Sequence, residues 1–234
     1  MKKAMWIIAL IALVGTAAFL PFLPETVPVH FDAYWQPDRW GSRLELLLLP
    51  VLLLICAGVM AAVLDRLEKK ATDGGDDKAR AGAGTNAKAL GIAGVSMIAV
   101  LALVQVWLLF RIHLAAAVGS EAAGVLDRLP FMLVGIIHIV LGNIMPKTRR
   151  NGVIGFRVTW TLYSDETWRR THRFGGYILA AAGILLVIAA ALIPSPLTVT
   201  AVLLVLVTGA VLVTLVYARR VYLQEKERSD SHEA

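Results

Sequence analysis

The sequence predicts an all-α integral membrane protein with six transmembrane helices and both termini in the cytoplasm. Its 234 residues are 58% hydrophobic and only 17% charged, with a mean hydropathy of +0.70. A soluble domain cannot hide that much apolar surface. Six apolar stretches fall near 5–22, 44–64, 90–111, 130–146, 177–193 and 197–217. Each approaches the roughly 20 residues needed to cross about 30 Å of hydrocarbon, and a backbone in lipid must satisfy its own hydrogen bonds, which makes them helices.

The third observation is the placement of Lys and Arg. The N-terminus carries two, segment 65–88 six, segment 147–173 seven and the tail four, against two in 23–43, two in 111–129 and none in 194–196. A split of 19 against 4 puts the basic segments and both termini on the inner side. The net charge of +6 therefore reflects membrane orientation, with no direct nucleic-acid partner expected. The single cysteine, Cys56, lies in an apolar run and excludes a disulfide framework and a Cys-based metal site.

Along the chain, residues 1–64 form a two-helix N-terminal unit with an extracytoplasmic loop. The first helix, with Lys2, Lys3 and Thr16-Ala17-Ala18, resembles a cleavable signal peptide. Removing it would leave five spans and a poorer charge split, so it is expected to be retained. Pro24, Pro28 and Pro37 predict that loop 23–43 is a stiff, turn-rich excursion, with Tyr34, Trp35 and Trp40 suited to the membrane–water interface. His30 and Asp32 are too few to hold a metal, so no metal and no cofactor is expected.

Residues 65–88, rich in Gly, Ala and Asp, predict a flexible cytoplasmic linker. A four-helix membrane domain follows over 89–217, with a polar tail over 218–234. Gln105 and His138 are polar residues inside apolar spans, where such residues default to a functional reading. The competing reading is a hydrogen bond between helices, with Gln105 a candidate partner for His138.

The segment between the fourth and fifth spans, Gly142 to Gly176, concentrates the specific chemistry. Pro146 stops the preceding helix, Asn151-Gly152 marks a turn, and Gly155 permits a positive φ. Thr161 to Gly175 predicts a short amphipathic cytoplasmic helix, capped by Ser164 and ended by Gly175-Gly176. Trp168 and His172 share one of its faces. A basic helix with Trp fits the inner interface, beside anionic membrane lipid.

This stretch resembles the signature of the SdpI family of bacterial membrane proteins. The positions that carry the resemblance are Gly142, Asn143, Lys147, Asn151, Gly155, Arg157, Trp160, Thr161, Leu162, Trp168, Thr171, His172 and Gly175. Loop 23–43 is similar to the small N-terminal domain often found ahead of it, through Pro24, Val27, Pro28, His30, Phe31, Pro37 and Asp38. Val158-Thr159 stand where the family usually has Thr-Pro.

The resemblance implies a multi-pass protein of the bacterial cell (inner) membrane, without enzymatic activity. It would give immunity to a secreted peptide toxin, relay the toxin's presence to a cytoplasmic transcriptional repressor, or do both, and it would act by binding. Such a protein would present the basic loop to the partner inside and loop 23–43 to the toxin outside. The alternative is a small-molecule or lipid transporter, or a membrane enzyme, that uses the basic loop as an anion site. No carboxylate pair or nucleophile–base pair at helical spacing favours the enzyme, and no inverted repeat favours the transporter.

Overall fold

A computed structural model describes residues 1–32, 34–119 and 124–233. Among these, six helices are long and apolar enough to cross a membrane. They are α1 (Lys2–Phe19), α2 (Leu48–Asp73), α3 (Asp77–Val118), α4 (Leu129–Ile144), α5 (Asp165–Leu192) and α6 (Pro196–Glu233). The expected connection 111–129 lies partly outside the described residues.

Loop 23–43 is a β-hairpin, a feature the proline content concealed. Strands β1 (Thr26–Phe31) and β2 (Pro37–Ser42) pair antiparallel, with Pro28 opposite Trp40 and His30 opposite Arg39. Proline is tolerated because both strands of a two-stranded sheet are edges. Asp32 Oδ1 accepts from Tyr34 N at 2.8 Å and Gln36 N at 2.9 Å and so builds the turn. His30 Nδ1 lies 2.6 Å from Asp38 Oδ1, across the strands.

The hairpin is seated on the helix ends. Leu23 and Val27 join Leu20, Leu46, Leu109 and Ile112 in one buried cluster. Arg43 Nη1 donates to the carbonyls of Leu20 and Leu23 at 3.3 and 3.0 Å. Trp35, at φ 62°, packs against Trp107 and Phe131 with ring centroids 5.2 and 5.6 Å apart, tying the turn to α3 and α4. Beneath it, the buried pair Arg111 Nε–Asp127 Oδ1 closes at 2.8 Å.

Residues 65–88 are not a flexible linker. All but the turn around Gly74 to Asp76 are helical, as the final turns of α2 and the first of α3. Alanine and lysine favour helix, and Asp76 Oδ1 caps α3 by accepting from Ala79 N at 2.8 Å. Ala83, Asn86 and Ala87 are buried there. The 42-residue α3 is about 63 Å long at 1.5 Å per residue, twice the hydrocarbon thickness, so its first turns project from the membrane. It packs against α1 and α2 on one side and α4 on the other, joining the two membrane units. The tail also continues α6 as helix, with Ala218 and Val221 buried.

Gln105 and His138, candidate partners by sequence, find different partners. Gln105 Nε2 donates to Leu46 O at 2.9 Å and Thr16 Oγ1 at 3.2 Å, linking α3 to α1 and the start of α2. His138 Nδ1 instead donates to Val134 O of its own helix at 2.7 Å.

Helices α4 and α5 meet along glycines spaced seven apart on each. A Cβ on Gly142 would come within 2.5 Å of Gly176 O, and one on Gly176 within 2.6 Å of Gly142 O. Gly135 and Gly183 repeat the arrangement a span-half further on, at 2.8 and 2.5 Å. Without side chains at these points the backbones approach directly, which is how helices gain dispersion contact in lipid.

Candidate functional site

The basic segments gather at one end of the bundle. Lys2 Nζ of α1 lies 2.5 Å from Asp65 and 2.6 Å from Glu68 of α2. Lys78 of α3 and Arg150 of the loop flank Asp165 at 2.9 and 3.1 Å. Arg170 of α5 donates to Gln224 of α6 at 3.2 Å. The N-terminus, the α2–α3 turn, the α4–α5 loop and the tail thus share one face, as the charge pattern requires.

The separate amphipathic helix is not present. Helix starts at Asp165, after a single turn at Thr159–Leu162, and runs through Gly175-Gly176 into the fifth span. The glycine pair does not end it because both face neighbouring backbone or side chains: Gly176 abuts α4, and a Cβ on Gly175 would meet Thr214 and Phe156. Ser164 does cap it, accepting from Thr167 N at 3.0 Å, while Thr167 Oγ1 accepts from Ser164 N at 2.9 Å. Five charged residues between Asp165 and Arg173 keep these turns outside the hydrocarbon, so the membrane-crossing part begins near Tyr177.

Trp168 and His172 do not face the interface. They are 1% and 0% exposed and stacked on each other with centroids 3.8 Å apart. Trp168 Nε1 donates to Thr148 O at 3.2 Å, holding the root of the loop. His172 Nδ1 donates to Trp168 O at 2.9 Å, while its Nε2 accepts from Phe156 N at 3.0 Å. Both nitrogens are therefore used by a neutral ring, and burial pushes its pKa down to about 4. Gly155, at φ 111°, passes so close that a Cβ would overlap His172 Nε2.

Asn151 organises the adjoining turn. Its Oδ1 accepts from Val153 N at 2.7 Å and Ile154 N at 2.8 Å, and its Nδ2 donates to Arg149 O at 2.6 Å. Thr161 Oγ1 donates to Phe156 O at 2.6 Å. Arg157 Nη1 donates to Gly152 O, while the rest of its side chain is exposed. Thr171 is buried, and its hydroxyl has no partner among the described residues.

The signature therefore divides. Thr161, Trp168, Thr171 and His172 are buried and build the loop from within, joined by the half-buried Asn151 and by Gly155, which is exposed but abuts His172. Asn143, Lys147 and Arg157, by contrast, are exposed and Trp160 is half-buried. The outer-loop residues Pro24, Pro28, His30, Phe31, Pro37 and Asp38 lie in or beside the hairpin at the other end.

Other members escape a reading of the sequence. Asn86 Oδ1 accepts from Arg149 N at 2.8 Å, fastening the loop to α3; its one visible signal is an Asn in an Ala/Gly-rich run. Between the α2–α3 turn and the loop lies a cleft of about 1020 Å³, lined by Arg66, Lys70, Lys78, Arg149, Arg150 and Arg169 against Asp76 and Asp165. Among the described residues no three His, Cys, Asp or Glu side chains converge to hold a metal ion.

Comparison with known proteins gives matches to both halves. Residues 147–218 match the SdpI/YfhL protein family, and residues 7–54 match a domain of unknown function, DUF1648. An uncharacterised protein of Archaeoglobus fulgidus is 51% identical over 41 residues, 18% of this chain and 22% of that protein's length. The immunity protein SdpI of Bacillus subtilis is 22% identical over 182 residues, 78% of this chain and 77% of its own. No solved structure matches significantly. With the matched segment containing most of the signature loop and a DUF1648 segment ahead of it, the chain is a multi-pass membrane protein whose residues 147–218 are similar to the SdpI/YfhL family.

Proposed function

We propose that the chain is an immunity protein of the bacterial cell membrane, protecting against a secreted peptide toxin by binding, without catalysis. The observation that carries this reading is the construction of the signature loop. Its buried residues serve to hold a shape, and its exposed residues, Asn143, Lys147 and Arg157, are left facing outward. A surface so built is suited to a partner, here a cytoplasmic repressor. The likeness to SdpI across 78% of the chain supports the same reading.

A mechanism follows from the packing. Peptide bound at the hairpin end would act on Trp35, which touches α3 and α4. The close glycine contacts make α4 and α5 move together, so a shift at the outer end reaches Met145 to Thr148 and the loop they carry. The test is expression in a Bacillus subtilis strain lacking its own SdpI, challenged with the peptide toxin against which SdpI protects. Restored survival is the expected result. Full sensitivity at normal protein levels in the membrane would overturn the reading for that toxin.

A further inference from the structure

The cleft at the basic end has no role in the reading above. Six basic side chains line it against two carboxylates. Asp165 is engaged by Lys78 and Arg150, and Arg169 pairs with Glu166 at 2.6 Å. Arg66 and Lys70 on α2, and Arg149 on the loop, have no carboxylate partner among the described residues. Like charges thus face one another across about 1020 Å³ of open space. Such an arrangement is unfavourable when empty and becomes favourable around an anion.

The walls are fixed by the Lys78 and Arg150 pairs to Asp165 and by contacts that leave the charged groups of Arg66, Lys70 and Arg149 unused. Arg149 is held by its backbone to Asn86, and the loop root is held by Trp168 through Thr148. The guanidinium groups of Arg66 and Arg149 and the Lys70 ammonium are consequently available for charge-assisted hydrogen bonds, the geometry for which arginine fits phosphate. The cleft also lies beside the first turns of α3, a helix about twice as long as the hydrocarbon is thick.

We propose that this cleft binds a phosphate-bearing anion, gripped between Arg66 and Lys70 of α2 and Arg149 of the loop. Bound there, the anion bridges the α2–α3 turn to the signature loop and stiffens the end of the bundle that carries it. The phosphate can come from an anionic phospholipid headgroup or from a soluble molecule. This inference does not depend on the immunity reading.

The test uses the full chain purified in a neutral detergent. Titration with pyrophosphate and retention of phosphatidylglycerol over phosphatidylcholine, read by native mass spectrometry, are the two arms. A variant Arg66→Gln/Arg149→Gln is compared with the tail control Arg219→Gln/Arg220→Gln, which removes equal charge outside the cleft. Saturable pyrophosphate binding that weakens at least about tenfold in the cleft variant and stays within about twofold in the control supports a soluble ligand. Selective phosphatidylglycerol retention lost only in the cleft variant supports a headgroup. Equal losses in both variants, or no binding in either arm, overturn the proposal. All four substituted arginines are exposed, and matching melting curves for the two variants confirm that folding is not being read.

Discussion

At the scale of single residues, the loop depends on one imidazole in one protonation state. His172 accepts from Phe156 N only when neutral, and the backbone donor is half-buried beside it. Its folded pKa of about 4 lies below the ordinary 6.5, so between these values the unfolded chain binds the extra proton. Stability from this group is complete above about pH 6.5 and is lost as pH falls towards 4. Melting temperature measured across that window should fall more steeply for the native chain than for His172→Gln. Equal slopes would remove His172 from the account. Gly155→Ala combines a positive φ with a clash against the same ring, and should cost roughly 1–3 kcal/mol in denaturant or thermal unfolding. The sequence made Gly155 and His172 legible as signature positions. That one packs against the other was not, because contacts 17 residues apart depend on the fold of the turn between them.

At the scale of elements, the helices were read well and their ends poorly. The apolar runs located all six spans, since hydrocarbon thickness sets a length that composition reveals. Polar flanks carry no such signal. Sequence alone therefore reads residues 65–88 as a linker and 161–175 as a separate helix, where tertiary packing extends α2, α3 and α5. Gly175-Gly176 shows why: the same residues that end helices also permit close approach, and only the position of α4 decides which. Gly142→Leu should separate α4 from α5 and destabilise by roughly 1–3 kcal/mol through overpacking, measured by unfolding in detergent. The exposed neighbouring change Asn143→Ala should be close to neutral for stability. If both behave alike, the glycine contacts do not hold the pair.

At the scale of the whole molecule, a basic end carrying both termini lies opposite the end that carries the hairpin. The charge split made this division legible, whereas the hairpin was not, because its prolines break the alternation that signals a strand. In a Cys56→Ser background, single cysteines at Lys78, Arg150 and Ser229 should react with impermeant reagents from the cytoplasmic side, and one at Trp40 from outside. Labelling of Trp40→Cys and Lys78→Cys from the same side would refute the topology. The proposed division of labour has the loop's exposed residues act on a partner while its buried residues hold the shape. It is tested most directly by survival under toxin of cells carrying Lys147→Gln/Arg157→Gln, at matched membrane protein levels. Loss of protection with an unchanged melting temperature is the expected result. Full protection by this variant would contradict it.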